Sequence, residues 1–178
     1  MILSSHVVIA AAASAPLLAH PLTAPKAAAI LAVSVLSHYA VDAIPHWDYN
    51  LSSVVKIDDS RGAGGRQFLP RRRLFFEDLG KAALDGLLGL AVTFLMLNLS
   101  WNWSDIALLL WIAFSAVLPD VASMFYIIFP HAPFSWFHKA HIVHTSYRWR
   151  YSWVSGALSQ VATVTVMVWA LNSLFRFW

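Results

Sequence analysis

Five apolar runs, at about residues 7–20, 26–44, 76–99, 106–129 and 153–175, leave this 178-residue chain few ways to fold. The last four are close to the roughly 20 residues of a bilayer-crossing helix, whose backbone groups can bond only to one another. Apolar residues make up 59% of the chain and charged residues 12%, against about one-half and one-quarter in a soluble domain. The expectation is an all-α, polytopic membrane helix bundle of about five helices plus a short interfacial His-rich helix. It forms a single integral membrane domain over 1–178, with the lipid bilayer as its partner. The first run is short for a span. No positive charge precedes it as in a signal peptide, so it reads as a retained helix, tilted or slightly short. Nine Trp, eleven Phe and five Tyr suit helix ends at the water–lipid boundary.

Positive charge orients the bundle. If all five runs span, ten of the twelve Lys and Arg residues fall on the side that holds the loop at about 49–75. Only Lys26 and Arg176 fall on the other. The excess marks the loop side as cytoplasmic, in a plasma or inner membrane. The loop reads as polar and irregular, with Gly62-Ala63-Gly64-Gly65 as a flexible linker. Its basic residues flank apolar spans, so they orient the protein and imply no nucleic acid. Glu77 and Asp78 fit the first turn of the following helix, and Ser104 fits an N-cap. Leu118-Pro119-Asp120 is expected to break the fourth run.

The second run ends in Ser37-His38-Tyr39-Ala40-Val41-Asp42-Ala43-Ile44-Pro45-His46-Trp47-Asp48, with four metal-ligand side chains in eleven residues. His38 and Asp42 are four apart and share a helix face. Pro45 ends the helix, so that His46 and Asp48 can fold back toward them. Imidazole and carboxylate suit zinc, with manganese or iron as alternatives. With no cysteine in the chain, disulfides, thiolate zinc sites and iron–sulfur clusters are excluded. The simpler reading is a structural His–Asp hydrogen bond, but an unpaired charge in an apolar helix is costly.

Depth adds a second argument. At 1.5 Å rise per residue, His38 lies roughly 10 Å below the loop-side surface, and Asp85 and Asp120 each lie roughly 13 Å below it. Three helices thus place an ionisable group at similar depth, and such groups normally face the bundle interior and mark function. His138, His141 and His144 recur every three residues and form one helical stripe at the same interface. The candidate ligands are His6, His38, Asp42, His46, Asp85, Asp120, His138, His141 and His144. His46 and Asp48 are also the catalytic candidates, with Asp48 orienting a histidine. His20, on the other side, reads as structural and His131 as a loop residue.

One or two divalent cations held by such groups would activate water and polarise a phosphoryl oxygen, and a pair suits phosphoester hydrolysis especially. No serine elbow competes with that chemistry. His6, Ser37-His38-x3-Asp42, Leu118-Pro119-Asp120 and the His138–His144 cluster resemble the YdjM-like family of membrane-bound metal-dependent hydrolases. Ile44-Pro45-His46-Trp47-Asp48 resembles a run shared by a subgroup of it. The resemblance extends to about residue 146. It implies a small helical inner-membrane protein with metal-dependent hydrolase activity. Where the family has Pro-Asp-x-Asp, this chain has only Asp120, followed by Ala122 and Ser123. The expected activity is hydrolysis of a phosphoester or similar bond in a membrane-associated, lipid-borne substrate. The rivals are a metal or proton transporter or a scaffold, and a histidine-ligated iron oxidase. A transporter calls for ligands reaching both faces; an oxidase calls for denser histidine boxes.

Overall fold

The computed structural model describes residues 2–18, 21–44, 46–47, 51–56, 66–69, 71–144 and 153–175. Among these, six helices account for nearly all regular structure: α1 (Leu3–Ser14), α2 (Ala24–Asp42), α3 (Arg72–Met96), α4 (Trp103–Ile128), α5 (Phe134–His144) and α6 (Trp153–Phe175). Four of them, α2, α3, α4 and α6, are long and apolar enough to cross a membrane. Their large apolar side chains turn outward: Leu84, Leu87 and Leu95 on α3 and Leu158, Val161 and Trp169 on α6 are exposed. Outward Leu and Val on helices this apolar fit contact with lipid, as in an integral membrane protein.

The short helix α1 stands at the centre. It packs on α2, α3, α4 and α6, and every residue from Ser4 to Ala12 is buried. Mostly small and apolar residues around it suit a helix enclosed by others. The run Ala10-Ala11-Ala12 also lets neighbouring backbones come close, which favours association where lipid competes for apolar contact. Val7, Ala10 and Ala11 meet Ile30 of α2 and Leu108, Ile112 and Ala116 of α4 in the main core. Around the other side Ile9 and Val41 pack with Val164 and Met167 of α6. Two glycines permit the closest approaches. A Cβ at Gly89 would lie 2.7 Å from Ser4 Cα, and one at Gly156 would lie 2.7 Å from Trp47 Cβ.

Several local expectations change. Part of the loop is a hairpin: β1 (Val54–Lys56) pairs antiparallel with β2 (Arg66–Phe68), Val54 opposite Phe68. The Gly62–Gly65 linker lies outside the described residues. Helix α3 begins at Arg72, so Glu77 and Asp78 fall in its second turn. There the Asp78 carboxylate accepts from the Ser53 N–H at 2.7 Å and from Lys81 at 2.9 Å, fastening the loop to the helix. The cap of α4 is Asn102 rather than Ser104, its side chain accepting from the Asp105 N–H at 2.9 Å. Helix α4 also runs on through Pro119 unbroken. A membrane helix tolerates proline where neighbours satisfy the carbonyls of the preceding turn. In that turn the Ala116 carbonyl takes a hydrogen bond from His38. Asn98, at φ 49°, makes the left-handed turn that ends α3.

Candidate metal centre

The last turn of α2 carries His38 and Asp42 to a point facing Asp120 of α4 and His141 of α5. Each of these four side chains offers one ligand atom to a group whose members all lie within 4.8 Å of one another. His38 Nε2 is 3.2 Å from Asp42 Oδ2 and 3.7 Å from Asp120 Oδ1. His141 Nδ1 is 3.5 Å from Asp42 Oδ2, and its Nε2 is 3.8 Å from Asp120 Oδ1. Most of these separations are long for N–H···O hydrogen bonds. Those from His38 Nε2 and from His141 Nδ1 match the edge of a ligand tetrahedron, which is about 3.4 Å for bonds of about 2.1 Å, with His141 entering through that one nitrogen.

The tautomers agree with that geometry. His38 Nδ1 lies 2.8 Å from the Ala116 carbonyl oxygen, which can only accept. The Nδ1–H therefore points there, and Nε2 turns its lone pair toward two carboxylates if the ring is neutral. Two sets of lone pairs facing each other need a cation between them or a proton on the ring. His46 repeats the pattern: Nδ1 donates to Ile44 O at 2.7 Å, and Nε2 lies 3.8 Å from Asp42 Oδ1. Burial pushes the His141 imidazole below its ordinary value, against the pull of Asp120 and Asp42. At neutral pH it is thus in the uncharged form that binds metal. Two carboxylates and neutral imidazoles carry a charge that a divalent cation cancels.

The remaining candidates divide. His6 is fully buried on α1, its Nε2 3.2 Å from Asp42 Oδ1 and its ring stacked on His38 with centroids 3.8 Å apart. Neither ring nitrogen of His6 makes a hydrogen bond. His138 stands apart from the four-residue group. Its Nδ1 lies 2.8 Å from Ser123 Oγ, and its ring stacks on Tyr126. Asp85 accepts from the Leu3 N–H at 2.6 Å and the Ser4 N–H at 3.3 Å. It thereby satisfies the first turn of α1, where unpaired N–H groups and the helix dipole favour a carboxylate. That position accounts for an acid at membrane depth without a metal. Asp85→Ala is expected to lower stability by about 2–3 kcal/mol, as for lost bonds to a charged group. Metal content at saturation should stay at the wild-type value. Parallel thermal melts and metal analysis in detergent check both, and metal loss from a folded variant would return Asp85 to the ligand set.

Asp48, His20 and the side chain of His144 lie outside the described residues. Sequence reasoning missed the Ala116 carbonyl, a backbone group with no residue signature. It also missed Gln160, a buried amide in an apolar helix, four residues after Gly156 and so on the same face. With its amide oriented to satisfy both ends, Gln160 donates to Trp47 O at 3.2 Å and accepts from the Ile2 N–H and the Ser5 hydroxyl. It ties the segment after α2 to the start of α1. Compared with protein-family models, with curated proteins and with solved structures, the chain matches none.

Proposed function

We propose that this chain is a membrane-bound, metal-dependent hydrolase whose cation is held by His38, Asp42, Asp120 and His141. It acts on a phosphoester or similar bond of a membrane-associated substrate. The observation that carries the reading is that four side chains each bring one ligand atom within 4.8 Å of the others, at spacings mostly long for hydrogen bonds and right for ligand edges. The motifs that resemble the YdjM-like family point the same way. Zinc suits the ligand set best, with manganese or iron as alternatives. The ten-to-two split of basic residues supports a site toward the cytoplasm.

A bound divalent cation would lower the pKa of an attacking water and polarise the phosphoryl oxygen. The chain's own residues set the access and move the proton. His38 and Asp42 are fully buried, whereas the side chains of Asp120 and His141 are 26% and 21% exposed. Substrate therefore enters over the α4–α5 edge. Clefts of about 320 Å³, lined by Leu97 and Asp105, and about 480 Å³, lined by Val92 and Trp169, lie elsewhere. Asp120 gives one oxygen to the group, and its other oxygen can take the proton of the attacking water. The Ala116 carbonyl keeps His38 in the tautomer that ligates.

One observation weighs against a transporter. Among the described residues, Asp105 is the sole acid toward the opposite face, and it is engaged by the Ser100 N–H at 2.8 Å and by Asn102. The test is phosphate release by metal-loaded protein from vesicles carrying phosphatidic acid or a polyprenyl diphosphate. Release should require the metal and fall by about 100-fold or more in Asp120→Asn, which weakens the hold on the cation and removes the proton acceptor together. A protein that holds its metal but cleaves neither substrate would sink the phosphoester reading.

A further inference from the structure

The two oxygens of Asp42 do not face the same neighbours. Oδ2 faces His38 at 3.2 Å and His141 at 3.5 Å. Oδ1 faces His6 at 3.2 Å and His46 at 3.8 Å, in each case toward Nε2. Four imidazoles from three helices and the segment after α2 thus surround one fully buried carboxylate, two on each oxygen. One cation cannot use all of them.

We infer that Asp42 is a bridging ligand, and that a second divalent cation binds between Asp42 Oδ1, His6 Nε2 and His46 Nε2. This rests on the reading of the first group as a metal site. Three observations carry it. The spacings on the Oδ1 side, 3.2 and 3.8 Å, fall in the same range as those on the Oδ2 side. His46 has its Nδ1–H committed to Ile44 O, which leaves Nε2 as the ligand nitrogen. His6 is an imidazole at 1% exposure with no hydrogen bond at either nitrogen, a costly arrangement in an apolar helix unless a ligand meets it.

The stacking sets the distance between the two positions. His6 and His38 lie face to face, centroids 3.8 Å apart and planes 16° from parallel. Each presents its Nε2 to a different oxygen of the same carboxylate. Near-parallel imidazoles that each ligate in the ring plane place their cations about one stacking distance apart. Paired hydrolytic metals sit about 3.5–4 Å apart, bridged so that both act on one phosphoryl group. The second position has three protein ligands, so it keeps places open for water or substrate. The chemical class of substrate stays that of the first site, a phosphoester, now clamped through two oxygens.

The experiment counts metal per chain by mass spectrometry on the detergent-purified full chain, reloaded with Mn²⁺ and freed of excess. Wild type should hold two equivalents and show an exchange-coupled paramagnetic resonance spectrum. His6→Ala should hold one, with the spectrum of uncoupled Mn²⁺. His46→Ala, which leaves the central helix intact, should do the same and covers the case in which His6→Ala fails to fold. The double substitution His141→Ala with Asp120→Asn should also leave one. One equivalent in wild type, unchanged in His6→Ala and His46→Ala, overturns the second cation and leaves the first site standing. No metal in wild type overturns both. Loss of all metal from folded His46→Ala overturns the bridged arrangement in favour of one shared position.

Discussion

Replacing Asp42 by Asn should lower stability when metal is bound and leave it equal or higher once metal is removed. With metal present, wild type gains the free energy of binding, about 2.7 kcal/mol when free metal stands at 100 times the Kd. Asp42→Asn keeps the shape of the side chain but removes the charge shared by His6, His38, His46 and His141. Its metal affinity should fall beyond the roughly 10–100-fold that loss of an outer partner costs. After chelation the order changes. A buried carboxylate facing imidazole lone pairs then needs a proton on one of those rings, a buried ion pair that the neutral amide does away with. Metal-free Asp42→Asn should therefore melt at or above metal-free wild type, and well below metal-loaded wild type. Were Asp42 simply the acceptor of histidine hydrogen bonds, the substitution would cost the same with and without chelator. Thermal melts of the four samples in detergent decide it.

The parts of this centre that could be read from the sequence are those fixed by helical repeat and by residue chemistry. His38 and Asp42, four apart at the end of an apolar run, had to share a face. Asp120 follows from the depth argument, and His141 from the stripe. Depth, however, gives height along the bundle and says nothing of the direction a side chain faces around its helix. Asp85 lies at the expected level but turns to the first turn of α1. The stripe had the same weakness: His138 and His141 both turn inward, yet one meets Ser123 and the other Asp42. The central place of α1 was hidden by its length, since a short apolar run reads as an imperfect span. Its small residues, Ser4, Ser5 and Ala10 to Ala13, were the available signal, because they let neighbouring helices close around it. Nothing in the composition shows that His6 would stack on His38, since that depends on how α1 and α2 cross.

Gly89→Ala should damage the centre from a distance. The added Cβ would stand 2.7 Å from Ser4 Cα and 3.3 Å from both Ser4 O and Val7 Cβ. Backbone atoms cannot rotate aside as a side-chain tip can, so α3 or α1 must shift. Asp85 is four residues before Gly89 and shares its face, and its bonds to Leu3 and Ser4 stretch with any such shift. The expected cost is about 3 kcal/mol, the upper end for overpacking a tight site. Since His6 is two residues from Ser4, metal affinity should fall as well, by about 10-fold, the lower range for a displaced supporting group. Gly86→Ala provides the contrast on the same helix. Nothing lies within 4 Å of a Cβ there, so the methyl group only removes backbone freedom and should be neutral or add up to about 1 kcal/mol. If the two alanine variants melt alike and bind metal alike, α1 is not wedged against α3 and the route from Gly89 to His6 is wrong. If Gly89→Ala alone loses stability and affinity together, the buried helix α1 is what holds His6 against Asp42.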